Sequence, residues 1–265
     1  MHITSRDNSL LRQMRAVRDG KVDELIYVEG LRLCEEALRS RLVIEAVIVS
    51  EELLRKERVA GVIDELSQAA KRFGSVSEKL LESVSYTKTP QGIIVLAERP
   101  ESSESRLAAE LDASPLLVVL HQINNPVNVG AILRTSEAAG AAGVITTKNT
   151  SDPFSPKSLR GAMGSAFRLP IWSGPAYSEV IDWCRGRNIV TVCADVESTV
   201  AYTSLAWTKP TALILGPEST GFTPEELSEA DQKVSIPMQG NAESLNVSVA
   251  AGILLFEAAR QRTSA

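Results

Sequence analysis

The chain has 265 residues, of which 44% are hydrophobic and 23% are charged, as is usual for a globular protein with one large domain or two smaller ones. It contains two histidines and three cysteines, and no two cysteines form a C-x-x-C pair, which argues against a zinc site or a Ser-His-Asp triad. Its net charge of −5 argues against a uniformly basic nucleic-acid-binding protein.

The sequence shows neither a membrane-spanning run nor a signal peptide, which favours a cytoplasmic protein. No run of about 20 apolar residues is free of charge, so we expect no membrane span. The first seven residues lack the apolar run of a signal peptide. Cys34, Cys184 and Cys193 are most simply free thiols in a reducing compartment.

The first part of the chain, residues 1–98, predicts a small α/β/α unit. Its apolar runs predict strands at 25–28, 44–49 and 92–97 and helices at 31–38 and 59–73. Residues 1–18 carry four arginines against the single acid Asp7, and the acidic excess of the chain lies entirely after residue 99. This basic segment is either a local RNA contact or an ordinary solvated helix face.

The second part, residues 112–265, follows a polar linker at 99–111. We expect strands at 116–120, 143–146, 189–194, 212–215 and 234–236, and a helix at 129–139. Strands that alternate with helices predict a mostly parallel sheet covered by helices on both faces. Ligands of such sheets bind beyond the carboxyl ends of the strands, where this chain has three unusual loops.

The first loop, residues 124–135, follows the most apolar strand. Asn128 is placed to begin the next helix as its N-cap, and Arg134 lies six residues further on. From the residues alone, a cap followed by a surface arginine and a phosphate-binding arginine are both open interpretations.

The second loop has the Gly-x-x-x-x-Gly spacing of a phosphate loop between Gly216 and Gly221. Phe222 stands where that loop needs a lysine, which excludes a nucleoside-triphosphate site. Thr223 and Glu226 predict a capping box for the helix that follows. The loop is therefore either a tight strand-to-helix turn or a backbone surface for another ligand.

The third loop, residues 236–248, ends a strand and leads into a helix that begins near Ser244 and runs through Phe256. This helix is apolar nearly all round, so we expect it to be buried in the core or against a partner chain. Ser244 and Asn246 at its start predict a helix cap or a ligand contact.

The three loops in this order resemble the motifs of the SpoU (TrmH-like) family of RNA ribose methyltransferases, part of the SPOUT superfamily. Asn128 and Arg134 match N-x-G-x-x-x-R, and Gly216, Glu218 and Gly221 match L-G-x-E-x-x-G. The third motif is matched by Ile236-Pro237-Met238 and Ser244-Leu245-Asn246-Val247-Ser248. Residues 152–157 and 164–170 also resemble segments of this family. The first part, with Val28-Glu29-Gly30 and Thr89-Pro90-Gln91-Gly92, resembles the L30e-like substrate-binding domain found ahead of this catalytic domain.

This resemblance implies a fold, a cofactor and an assembly. The fold is an α/β SPOUT domain with a trefoil knot in its C-terminal part, a feature almost absent from other proteins. The cofactor is S-adenosylmethionine, and the assembly is a homodimer with active sites at the subunit interface. No metal is implied.

The resemblance also implies roles for single residues. The expected catalytic group is Arg134, Asn128, Glu218 and Asn246. The expected cofactor contacts are Leu215, Gly216, Gly221, Ile236, Met238, Ser244 and Leu245. The expected RNA contacts are Arg6, Arg12, Arg15, Arg32 and Arg160.

The expected function is transfer of a methyl group to a ribose 2′-hydroxyl, with ribosomal RNA favoured over transfer RNA because of the L30e-like domain. A transfer-RNA 2′-O-methyltransferase and a non-catalytic RNA-binding relative in ribosome assembly are the alternatives. A small-molecule enzyme of the doubly wound type is a third class.

Overall fold

A computed structural model of the chain describes residues 1–217 and 220–263. The chain forms two compact units. The first comprises Met1–Pro100 together with Phe154–Arg168, and the second comprises Glu101–Pro153 together with Leu169–Ala265. The predicted boundaries at 98/99 and 111/112 stay a prediction.

The first unit is built on a five-stranded sheet. Its strands in chain order are β1 His2–Ile3, β2 Leu25–Glu29, β3 Ile44–Ser50, β4 Arg72–Val76 and β5 Ile93–Glu98, and its sheet order is β1-β4-β3-β5-β2. Its helices before residue 100 are α1 Ser9–Arg18, α2 Leu31–Arg39, α3 Glu51–Leu54, α4 Ala60–Ala69 and α5 Glu78–Val84. Because β5 is antiparallel to both β2 and β3, the latter two strands run in the same direction.

The core of the first unit comes from alternate strand residues and one face of α1. Leu10, Leu11, Met14 and Val17 of α1 are buried against the sheet. Their i, i+1, i+4, i+7 spacing places them on one side of the helix. The arginines of α1 consequently lie on its other sides.

The second unit is built on a six-stranded parallel sheet. Its elements in chain order are α6 Glu104–Ala109, β6 Leu116–Leu120, α7 Pro126–Ala138, β7 Gly143–Thr146, β8 Ile171–Ser173, α10 Tyr177–Arg185, β9 Val190–Ala194, β10 Thr211–Leu215, α11 Pro224–Glu229, β11 Gln232–Val234 and α12 Val247–Thr263. The omitted helices α8 Pro156–Ala162 and α9 Ser165–Arg168 belong to the first unit. The sheet order is β11-β9-β10-β6-β7-β8, and every pairing is parallel.

The observed sheets confirm the α/β class and the mostly parallel second sheet. Strand β6 is buried along its whole length, as its unbroken apolar run predicts for a strand covered on both faces. The expected helix over 59–73 is wrong at its end, because α4 stops at Ala69 and β4 begins at Arg72. Among the described helices, none is long and apolar enough to cross a membrane.

Candidate active site

A cleft of about 560 Å³ lies at the carboxyl ends of the neighbouring strands β11, β9 and β10. Because these strands are parallel, the loops that leave them meet at one edge of the sheet. The cleft is lined by Ala194, Asp195, Val196, Leu215, Gly216, Pro217, Thr220, Gly221, Phe222, Val234, Ser235, Ile236, Met238, Ser244, Leu245, Asn246, Val247, Ala250 and Leu254. The second and third loops therefore form one site.

The second loop requires glycine at positions 216 and 221 for two different structural reasons. A Cβ built on Gly216 would lie 2.5 Å from Cε2 of Phe222, so the ring packs directly on the glycine backbone. Gly221 has a φ of 64°, in the left-handed region that favours glycine. The loop thus needs one glycine for packing and one for conformation.

The ring of Phe222 stacks on the ring of His121, which directly follows β6. The two rings are stacked with centroids 6.0 Å apart and an interplanar angle of 3°. His121 is buried, its Nε2 lies 2.8 Å from Oε1 of Glu226, and its Nδ1 lies 3.0 Å from Oγ1 of Thr147. This polar network ties the start of α11 to the sheet, beside the cleft.

The predicted capping box is present at the start of α11. The backbone N of Thr223 donates to Oε2 of Glu226 at 2.8 Å, and the backbone N of Glu226 donates to Oγ1 of Thr223 at 3.2 Å. Glu226 therefore caps the helix with one carboxylate oxygen and contacts His121 with the other.

The third loop ends in a cap made by Asn246. Its Oδ1 accepts from the backbone N of Ser248 at 2.9 Å and from that residue's hydroxyl at 2.6 Å. Its Nδ2 donates to Oδ1 of Asn128 at 3.4 Å. Two predicted site residues that are 118 positions apart in the chain thus contact each other.

The predicted cap of α7 is wrong by three residues. Asn125 caps the helix, because its side chain accepts from the backbone N of Val127 at 3.0 Å and Pro126 occupies the first turn. Asn–Pro is a stronger start signal than Asn128, since proline has no N–H to leave unsatisfied there. Asn128 instead lies inside the helix, buried and turned toward Asn246.

The remaining members of the predicted catalytic group are placed differently. Arg134 is exposed on α7 and is not among the described residues that line the cleft of this one chain. Glu218 lies outside the described residues. All seven predicted cofactor contacts, in contrast, line the cleft.

Asp195 is a lining residue that sequence reasoning missed. It follows β9 directly, and its Oδ1 accepts from the backbone N of Glu197 at 3.2 Å. An acid directly after a buried strand is the sequence signal that would have indicated it. It places a carboxylate in a cleft whose other side chains are mostly apolar.

The chemistry of the lining fits S-adenosylmethionine. Leu215, Ile236, Met238 and Leu245 offer apolar surface for a purine, and Asp195 offers a negative charge to a cationic ligand. The described part of the chain holds no group of three or more His, Cys, Asp or Glu residues that is suited to a metal ion.

The cysteines take no part in this site. Cys34, Cys184 and Cys193 are all free and buried. Burial raises the pKa of Cys184 to about 12 and that of Cys193 to about 11. These thiols are therefore protonated packing residues at neutral pH.

The predicted RNA contacts all lie in the first unit. Arg6, Arg12, Arg32 and Arg160 are exposed, whereas Arg15 is half-buried and donates to the backbone carbonyl of Arg6 at 2.7 Å. Arg32 and Arg160 line a common cleft, although they are 128 positions apart in the sequence.

Family models match both parts of the chain. Residues 115–256 match the SpoU rRNA methylase family, and residues 10–95 match the MRM3-like substrate-binding domain.

Individual relatives agree with these matches. The chain is 33% identical to the 23S rRNA (guanosine-2′-O-)-methyltransferase RlmB of Haemophilus influenzae, over 78% of this chain and 85% of the relative. It is 29% identical to the 23S rRNA (guanosine(2553)-2′-O)-methyltransferase RlmP of Bacillus subtilis, over 86% of each chain. The solved structure of an AdoMet-bound rRNA methyltransferase from Sinorhizobium meliloti superposes with a TM-score of 0.86 at 30% identity, covering 98% of this chain and 97% of that one.

Proposed function

The chain belongs to the SpoU rRNA methylase family, and from this premise we infer that it transfers a methyl group from S-adenosylmethionine to a ribose 2′-hydroxyl of ribosomal RNA. The observation that carries this inference is the cleft at the ends of three parallel strands, lined by every predicted cofactor contact. An intact cofactor cleft favours an enzyme over a non-catalytic RNA-binding relative. The 23S rRNA relatives favour ribosomal over transfer RNA.

We propose that the cofactor lies between the second and third loops. Gly216 and Gly221 line the cleft, and Leu215, Ile236, Met238 and Leu245 cover the adenine of the cofactor. S-adenosylmethionine supplies a methyl group activated by a positively charged sulfonium. The protein must then hold the ribose oxygen in line with that methyl group, and such positioning contributes up to about 7–11 kcal/mol in ideal cases.

We propose that Arg134 binds the phosphate next to the target ribose and stabilises the developing negative charge on its 2′-oxygen. Its guanidinium is exposed and has no ion pair within the described residues, so it is available to a substrate. It does not serve as the base, since an arginine guanidinium keeps its proton in proteins. Asn128 and Asn246, which contact each other, would orient the ribose together with Glu218.

The test is the Arg134→Ala variant. We expect methyl transfer to fall about 10²–10³-fold, the effect of losing one preorganised charge donor. S-adenosylmethionine affinity should be unchanged, because Arg134 does not line the described wall of the cofactor cleft in its own chain. The assay measures labelled methyl transfer to ribosomal RNA from cells that lack the gene, with calorimetry of the cofactor alongside.

Arg185→Ala is the matched control, because Arg185 is an exposed arginine of the same unit. This variant should keep the wild-type rate of methyl transfer. A wild-type rate for Arg134→Ala would refute the role of Arg134. Failure of the wild-type protein to bind S-adenosylmethionine would refute the function itself.

We propose that the active form is a homodimer. Helix α12 exposes Val249 and Phe256, seven residues apart, with the partly buried Ile253 between them on the same side. Helix α7, which packs on α12, exposes Val127 and Arg134, again seven apart. A partner that covers this apolar surface would bring Arg134 into a shared site.

We also propose that residues 1–98 select the RNA and that residues 112–265 carry the transfer, with 99–111 as linker. The substrate-binding-domain match at 10–95 supports the first assignment. Within residues 1–98, we propose that Arg6, Arg12 and Arg15 contact the phosphate backbone of the RNA. The trefoil knot and a cytoplasmic location, where ribosomal RNA is available, belong to the same proposal.

A further inference from the structure

A second cleft, of about 340 Å³, lies in the first unit and is remote in sequence from every loop of the cofactor site. Three segments build it: residues 29–33 at the β2–α2 junction, residues 87–91 before β5, and residues 160–163 at the end of α8. It is lined by Glu29, Gly30, Arg32, Leu33, Thr87, Thr89, Gln91, Arg160 and Met163. We call it the arginine cleft.

The arginine cleft is lined by two arginines and by one acid, Glu29, which is bound by other groups of the protein. Glu29 is buried, and its Oε2 accepts from the backbone N of Tyr86 at 2.7 Å and from the hydroxyl of Tyr27 at 3.2 Å. Its Oε1 accepts from the hydroxyl of Thr87. The carboxylate oxygens of Glu29 are thus hydrogen-bonded within the protein, and they hold the backbone at Tyr86 and Thr87.

Arg32 and Arg160 remain available to a ligand. Both are exposed, and neither has an ion pair or hydrogen bond within residues 1–217 and 220–263. Unpaired arginines beside one concave surface suit a phosphate, whose oxygens they contact in a planar, bidentate way.

Helix α8 is anchored so that Arg160 faces this cleft. Arg168 of the following helix α9 donates to Oε2 of Glu36 on α2 at 2.6 Å. Gly164, between the two helices, has a φ of 94°, and a Cβ built there would lie 2.9 Å from Glu36. The cleft therefore depends on a segment from the second half of the sequence, beyond the substrate-binding match at 10–95.

The other lining groups suit a nucleoside better than a bare anion. Leu33 and Met163 offer apolar surface, and the exposed Thr89 offers a hydroxyl. The Oε1 of Gln91 accepts from the backbone N of Leu31 at 3.2 Å, which leaves its amide N–H donors for a ligand. Tyr86, next to the lining residue Thr87, exposes 42% of its surface, as side chains that stack on unpaired bases do.

We propose that the arginine cleft binds one unpaired nucleotide of the substrate RNA, with its phosphate between Arg32 and Arg160. The proposal rests on the inferred RNA methyltransferase function and adds a recognition subsite to it. A cleft of this volume admits one nucleotide, whereas the bases of a duplex stay stacked inside the helix.

The test uses the full chain and a short labelled single-stranded RNA as the probe. The double variant Arg32→Gln, Arg160→Gln should bind this RNA about 10-fold more weakly, and the slope of log affinity against log salt should fall by about 0.7, because the contact with one phosphate of a single strand is lost. Arg39→Gln is the matched control, since Arg39 is an exposed arginine at the other end of α2 and outside the cleft. Equal affinity of the double variant and the wild type would overturn the proposal.

Two further probes separate the sources of the phosphate. A fully paired RNA of the same length should lose much less affinity in the double variant, and an equal loss would overturn the claim for an unpaired nucleotide. Inorganic phosphate should not displace the RNA, and full displacement at millimolar concentration would reassign the cleft to a free anion.

A last measurement needs no variant. RNA that carries a photoreactive uridine should crosslink to peptides within 29–33, 86–91 or 160–163 of the wild type, and crosslinks confined to other peptides would refute the subsite. Cofactor calorimetry and methyl transfer by the wild type are measured in parallel, so that failure of the subsite is distinguished from failure of the proposed function.

Discussion

Gly216 shows how one residue without a side chain shapes the cofactor cleft. A Cβ on this residue would lie 2.5 to 2.8 Å from three atoms of the Phe222 ring, and that ring is backed by His121. We expect Gly216→Ala to displace the ring, to destabilise the fold by about 1–3 kcal/mol through overpacking, and to weaken S-adenosylmethionine binding. Thermal unfolding and calorimetry measure the two effects.

The control for this substitution is Gly61→Ala. Gly61 lies inside helix α4, and nothing lies within 4 Å of a Cβ built there. Alanine at such a position stabilises a helix by about 0.5–1 kcal/mol. Wild-type cofactor affinity in Gly216→Ala would show that the ring of Phe222 has no part in shaping the cleft.

Single residues also show what the sequence predicts and what it does not. The residues predicted to contact the cofactor each follow a strand end within a motif, and strand ends are local features, so the sequence predicts which residues line this cleft. The caps were harder to place: Asn125 and Asn128 are both suitable residue types, and only the pairing of Asn125 with Pro126 decides between them. The network of His121 joins residues 105 positions apart, so no local pattern reveals it.

At the scale of elements, helix α1 presents its arginines on the sides away from the core. Its buried face holds Leu10 and Met14, while Arg12 is exposed and Arg15 is partly engaged with the Arg6 carbonyl. We expect the triple variant Arg6→Gln, Arg12→Gln, Arg15→Gln to bind RNA more weakly, with a salt slope reduced by about 2. Cofactor binding should be unchanged. A salt titration of RNA affinity checks this.

A triple variant with wild-type affinity and slope would show that this face of α1 is only solvated surface. The control is the double variant Arg55→Gln, Arg58→Gln, which removes positive charge from two exposed arginines elsewhere in the same unit.

The elements divide into those that the pattern predicts and those that it does not. The sequence predicts strands β6 and β7 at their observed bounds, β6 from an unbroken apolar run and β7 from the shorter segment Gly143–Thr146. The sequence instead predicts the start of strand β4 as the end of a helix, because the half-buried Arg72 and Phe73 are not part of an apolar run like that of a central strand. The two-residue strand β1 exists through its parallel pairing with β4, which is a tertiary contact.

At the scale of the whole molecule, the second unit leaves apolar surface that a single chain does not cover. The buried face of α12 holds Ala251, Leu254, Leu255 and Ala258, so the expectation that the helix is buried all round fails within one chain. Val249 and Phe256 remain 50% and 54% exposed. The alternative expectation, a partner chain, accounts for their apolar character.

This surface gives the test of the assembly. In a C2 dimer each substitution acts on both subunits, so Phe256→Glu places two charges in one apolar interface. We expect the variant to elute as a monomer and to lose methyl transfer, because the exposed Arg134 would no longer lie in a shared site. Light scattering coupled to size exclusion measures the mass. Leu54→Glu, an equally drastic change at a residue of the first unit that is 40% exposed, should keep both the dimer and the activity. A wild-type protein that is already monomeric and fully active would show instead that Arg134 serves the cleft of its own chain.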